Sequence, residues 1–166
     1  MKPSVEQMLE AMQLALREKV SPVVSDQWAA SALRSVDVIL SHLQARTPVE
    51  GPMLYEDNHD LAAVLAEAAD LNLAGEITSE NVALTAALAG FAADVKAMAQ
   101  GYPAVSALSA LNVRGRFLLD DLLRVCHARK GQPGVEQVHA ALRLYLDRHI
   151  DRERQFFFPT YVGRPV

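Results

Sequence analysis

The chain predicts an all-α fold, an antiparallel bundle of about six helices that ends in an aromatic C-terminal tail. Apolar residues recur at helical spacing in six separate stretches. Proline, glycine and capping residues punctuate those stretches. A composition of 51% hydrophobic and 22% charged residues is that of a globular protein, and its Ala-rich, Val-poor runs favour helix over strand. At 166 residues one domain can bury a core without a disulfide or a structural metal. We divide the chain into a helical bundle domain, residues 1–155, and an aromatic tail, residues 156–166.

Ser4 with Gln7 forms a capping box, after which Val5, Leu9, Met12, Leu16 and Val20 fall on one face of a first helix that Pro22 ends. Ser25 or Asp26 caps a second helix running to about Arg46. On it Trp28, Ala29, Ala32, Leu33, Val36, Ile39, Leu40 and Leu43 make a continuous apolar stripe opposite Arg34, Asp37 and Gln44. Thr47 to Pro52, with two prolines and a glycine, reads as the longest loop. A third helix from near Asp57 turns Leu61, Val64, Leu65, Ala68 and Leu71 inward and His59, Glu67 and Asp70 outward, and Gly75 takes the left-handed C-terminal position.

The fourth helix, capped by Thr78 or Ser79, carries Leu84, Leu88, Phe91, Val95 and Met98 on one side and Ala86, Ala89, Ala93 and Ala97 on the other. Two apolar faces mark it as central. Gly101 and Pro103 precede a fifth helix with a stripe of Leu108, Leu111, Gly115, Leu118, Leu122 and Cys126, where Gly115 permits close approach of a neighbour. Lys130 to Gly134 is a loop, and Val135, Val138, Leu142, Tyr145, Leu146 and Ile150 define the sixth helix.

The net charge of −4 is unevenly placed: residues 1–100 carry six Lys/Arg against fourteen Asp/Glu, and residues 101–166 carry ten against six. An acidic chain is a poor partner for nucleic acid. The single cysteine, Cys126, forms no internal disulfide, and the N-terminus lacks the pattern of a secretory signal, so the expected compartment is the cytoplasm. No stretch reaches the roughly 18 apolar residues of a membrane span.

Two Glu-x-x-His pairs, Glu56/His59 and Glu136/His139, have the spacing that di-iron bundles use. Helical phase opposes a shared site, because His59 points about 170° from the apolar face of its helix. His139 and His149 flank the apolar centre of the sixth helix, so a smaller metal or ligand site with Glu136, and Asp94 from the fourth helix, is the alternative to plain local hydrogen bonding. Arg116, Asp120 and Arg124 at i,i+4 spacing read as a solvated face of weak ion pairs in preference to an anion site. Cys126 lies on an apolar stripe with His127 turned about 100° away, which opposes a nucleophilic role. No phosphate loop, dinucleotide fingerprint or hydrolase triad is present, and no cofactor is expected.

The last eleven residues hold four of the ten aromatics, and Pro159 and Pro165 oppose simple extension of the sixth helix. Phe156, Phe157, Phe158, Tyr161 and Arg164 are the candidate partner-binding residues, since aromatics and arginine are enriched at interfaces. The alternative is that the segment folds back over the bundle.

Val5-Glu6-Gln7-Met8-Leu9-Glu10-Ala11, Val20-Ser21-Pro22-Val23 and the helix entered by Trp28 resemble the start of a bacterial all-helical family of unknown function. Its members are associated with kinases of the aminoglycoside-phosphotransferase type and with acyl-CoA dehydrogenase homologues. The resemblance spans about the first 45 residues and lacks the family's Arg and Asn where this chain has Ser31 and Ser35. It implies a non-catalytic accessory subunit of a kinase acting on a hydroxylated acyl-CoA or similar lipid-like substrate. The sequence therefore favours an interaction protein, with a protein partner or self-association, over a metal- or ligand-binding bundle using Glu136, His139 and His149. An enzyme acting on an apolar substrate ranks last.

Overall fold

The computed structural model describes residues 2–72, 79–132 and 134–161, with the side chains of residues 70–72, 79–81 and 157–161 outside the description. Among the described residues every regular element is helical: α1 Val5–Ala15, α2 Gln27–Arg46, α3 Glu50–Asn72, α4 Ser79–Met98, α5 Val105–Ala128 and α6 Val135–Tyr161. The all-α class and the six helices expected from the sequence are present. The chain divides into two compact units, one made of Met1–Glu50 with Glu153–Val166 and the other of Gly51–Arg152.

In the first unit the capping box closes α1 as expected: Ser4 Oγ accepts from the Gln7 amide at 3.2 Å and Gln7 Oε1 from the Ser4 amide at 2.9 Å. The helix widens into a π turn, Leu16–Val20, and tightens into a 3-10 turn over Ser21–Val23 that contains Pro22. Asp26 caps α2 by accepting from the Ala29 amide at 2.8 Å. The two helices run in opposite directions, because Gln13 donates to Ser41 Oγ at 2.8 Å while Arg17 grips the Asp37 carboxylate at 2.9 Å. Gln13, absent from the expected apolar face of α1, is its buried residue; Leu9 and Leu16 are half-buried beside it.

Two loop expectations change. Only Thr47 to Val49 separate α2 from α3, which begins at Glu50, so Gly51 and Pro52 are helical. A first helical turn has no intrahelical N–H bonds to lose, which is why it admits Pro52. At the other end α6 continues past Pro159 to Tyr161, where a break was expected; the lost backbone bond falls in the terminal turn. Phe156, still on that helix, is buried at 3% exposure, edge-on to His42 and under the Arg46 guanidinium at 5.3 Å. Arg46 also pairs with Glu153 at 3.2 Å.

The second unit holds the larger core: Leu61, Leu65 and Ala68 of α3, Leu88, Phe91 and Val95 of α4, Leu111, Leu118 and Leu122 of α5, and Val138, Leu142 and Tyr145 of α6. These follow the stripes read from the sequence with two corrections. Ala86, Ala89, Ala93 and Ala97 are exposed, so α4 has one interior face and is not enclosed on both sides; methyl groups alone offer a neighbour little area to bury. Ile150 is exposed, because the interior stripe of α6 follows Tyr145 to His149 instead. The turn between α5 and α6 uses Gly131 and Gly134 at φ 89° and 83°, a region closed to most side chains. The expected cap at Gly75 lies outside the described residues.

Gly115 sets the spacing of α3, α4 and α5. A Cβ there would sit 2.5 Å from Leu61 Cδ2 and from Phe91 Cζ, both fully buried. Gly115→Ala gains about 1 kcal/mol of helix propensity and incurs an overpacking cost of about 1–3 kcal/mol. We expect a net loss of about 1 kcal/mol, read as a lower urea midpoint; a higher midpoint would contradict this packing.

Candidate functional site

Among the described residues the most constrained polar group is Asp57, one turn before Leu61 on α3, with a side chain only 6% exposed. Its Oδ1 accepts from Arg152 Nη2 at 2.8 Å, from His149 Nδ1 at 3.1 Å and from the Tyr145 hydroxyl at 3.2 Å. Its Oδ2 accepts from Asn112 Nδ2 at 2.8 Å and lies 3.7 Å from Arg116 Nη2. The shell continues outward. Asn112 also donates to Asn58 Oδ1 at 3.0 Å, Asn58 to the Leu108 carbonyl at 3.0 Å, and Arg116 to His149 Nε2 at 3.1 Å. That last bond assigns the His149 proton to Nδ1, the tautomer that serves both neighbours. Arg152 also binds Asp60, which Arg148 approaches at 3.5 Å.

Burial alone would raise the Asp57 carboxyl, but hydrogen bonds from His149, Asn112 and Arg152 hold it well below the usual carboxylate range. Burial and the Asp57 charge push the Tyr145 phenol above its ordinary value, so it donates as a neutral hydroxyl. Each group here is oriented by another protein group. The arrangement fastens α3, α5 and α6 together.

The sequence candidates are dispersed. Glu136 and His139 line a cleft of about 490 Å³ with Cys126, His127, Lys130 and Arg143, at the end of the α5–α6 hairpin. His149 is ten residues further along α6, about 15 Å in rise, and belongs to the Asp57 cluster. Asp94 pairs with Arg114 at 2.6 Å. His59 Nδ1 lies 2.8 Å from the Tyr55 carbonyl on its own helix, and its ring packs on Tyr55. Arg124 pairs with Asp120 at 2.6 Å on an exposed face, while Arg116 turns to Asp57. Cys126 is buried and burial raises its thiol, the opposite of what a nucleophile needs. Among the described residues no three His, Cys, Asp or Glu side chains gather as a metal-binding set, and no helix is long and apolar enough to cross a membrane.

Of the candidate partner-binding residues, Phe156 lies inside the first unit; the side chains of Phe157, Phe158 and Tyr161, and all of Arg164, lie outside the described residues. A row of exposed apolar side chains lies elsewhere, on α2. The stripe of α2 that the sequence marks as interior is open along its middle: Trp28 is 83% exposed and Ile39 57%, with Val36, Leu43, Ala29 and Ala32 also exposed. Along one edge of the stripe Leu33 is half-buried and Leu40 buried. No family model, characterised protein or solved structure matches this chain.

Asp57→Ala leaves Arg152, His149 and Asn112 without their shared acceptor, and we expect a loss of about 3–5 kcal/mol in urea unfolding. The pH dependence has a defined sign. Because the folded-state value lies below the unfolded one, the Asp57 contribution is present above about pH 4 and is lost as the pH falls further. The stability gap between wild type and Asp57→Asn should therefore hold from pH 5 to 7, by the same linkage, and narrow below about pH 4. A gap that widens in acid would remove Asp57 as the group responsible.

Proposed function

We propose that this chain is a non-catalytic helical interaction protein whose docking surface is the exposed apolar face of α2. One observation carries the reading: Trp28, Val36, Ile39 and Leu43 form a row of large apolar side chains left to water on α2. Contiguous exposed apolar surface of this kind marks interaction sites, and tryptophan is the residue type most enriched among binding hot spots. The internally satisfied Asp57 cluster and the buried, raised Cys126 thiol support a scaffold over a catalyst. The residues that resemble the accessory-subunit family, Val5 to Ala11, Val20 to Val23 and Trp28, lie on α1, the turns after it and α2. We extend the proposal to that role, a companion of a phosphotransferase-type kinase acting on hydroxylated acyl-CoA or lipid-like substrates, on the resemblance alone.

A second reading rests on the cleft beside Glu136 and His139. Its Lys130, Arg143 and two imidazoles outnumber the single carboxylate, which suits a small anionic ligand.

Ile39→Asp separates docking surface from core. As a surface change it should alter unfolding free energy by no more than about 0.5 kcal/mol, whereas a core Ile would cost several. Tagged wild-type chain expressed in its native organism should retain a stoichiometric partner that the Ile39→Asp chain loses. Retention of that partner by the variant would overturn the α2 surface.

A further inference from the structure

Resting on that reading, we infer that the occupant of the α2 face is a second copy of this chain, its α2 packed antiparallel against the first across a two-fold axis. Ala29, Ala32, Val36, Ile39 and Leu43 are spaced three, four, three and four residues apart, the a/d repeat of a coiled-coil seam, and all five are exposed. A seam of this kind is built for another helix.

The side-chain sizes along it are self-complementary in one orientation. Antiparallel pairing sets a positions against d positions, so Ala32 meets Leu43 of the second copy and Val36 meets Ile39, with the axis passing between residues 36 and 39. The four central layers each join a smaller residue to a larger one, and the outermost sets Ala29 against the aliphatic stem of Arg46 of the second copy. Parallel pairing would instead stack alanine on alanine at one end and leucine on leucine at the other, leaving a void and a crowd.

Charge agrees with a like partner. From Trp28 to Leu43 the seam carries no ionisable group except His42 on its flank, while Asp37, on the side toward α1, is neutralised by Arg17. Two copies meet with no like charges opposed. Val5, Met8 and Met12 of α1 are exposed as well, at 49%, 46% and 54%. Each apolar strip lies roughly 100° around its helix from the side that faces the other helix. Since α1 and α2 run in opposite directions, both offsets turn to the same side of the pair. The methionines widen the seam into a two-helix face, and two such faces make a four-helix arrangement with an apolar centre.

Sedimentation velocity of the full chain over a concentration series tests this. Wild type should be a dimer, Ile39→Asp a monomer with unchanged helical circular dichroism. Ala32→Leu and Leu43→Ala should each weaken dimerisation at least tenfold, and the double variant Ala32→Leu/Leu43→Ala should restore it to within about threefold, since the same pair of sizes is exchanged across the axis. A wild type that stays monomeric at about 100 μM, or a dimer indifferent to Ile39→Asp, would overturn self-pairing. Tightening by Ala32→Leu without rescue in the double variant would overturn the antiparallel arrangement. A monomer whose native partner is still lost on Ile39→Asp would sink the second-copy inference and leave the interaction reading standing, so the two failures are told apart.

Discussion

A carboxylate held charged inside a helical bundle imposes conditions on everything near it. Removing an ion from water costs several kcal/mol unless opposite charge and hydrogen bonds replace the lost hydration. Asp57 receives that replacement from two other helices, through Asn112 and Arg116 on α5 and Tyr145, His149 and Arg152 on α6. Sliding or rotating any of the three helices by one residue would leave a donor or the carboxylate unmatched. Apolar packing around Leu61, Leu111 and Leu142 tolerates such slips far better, because burial is indifferent to direction. The core supplies the attraction between the helices, and the Asp57 network selects their register.

That division of labour explains which parts of the fold were legible. Hydropathy located every helix and most of the second unit's interior, because Leu61, Leu88, Leu118 and Leu142 advertise their positions. Residues 57, 112, 149 and 152 occupy interior positions with polar side chains, which an apolar stripe cannot reveal. A usable signal was present on α6: 135, 138, 142, 145, 149, 152 and 156 follow one another at intervals of three and four. Following position instead of polarity would have carried the stripe through His149 and Arg152 to Phe156 and away from Ile150. Helical phase puts His149 close to the interior, but it cannot point to its partner, since Asp57 is 92 residues earlier in the chain.

On α2 the difficulty is reversed. The stripe from Trp28 to Leu43 is legible and genuinely apolar, yet amphipathicity names a face and not its occupant. The neighbour that α1 provides is held beside that stripe through Gln13, Ser41, Arg17 and Asp37, polar side chains that an apolar count passes over. The aromatic tail poses a similar difficulty, because its composition calls for burial without naming the surface that provides it. Phe156, its first ring, closes over His42 and Arg46 of α2 and serves as packing.

The lone cysteine gives the bundle a built-in clock. Cys126 lies in the interior of the second unit, lining one side of the cleft, and its burial raises the thiol and keeps it protonated. That burial slows modification by a reagent in solution, which speeds up while α5 and the helices around it stand apart. With no second thiol to compete, the rate of modification follows those openings, one event per molecule.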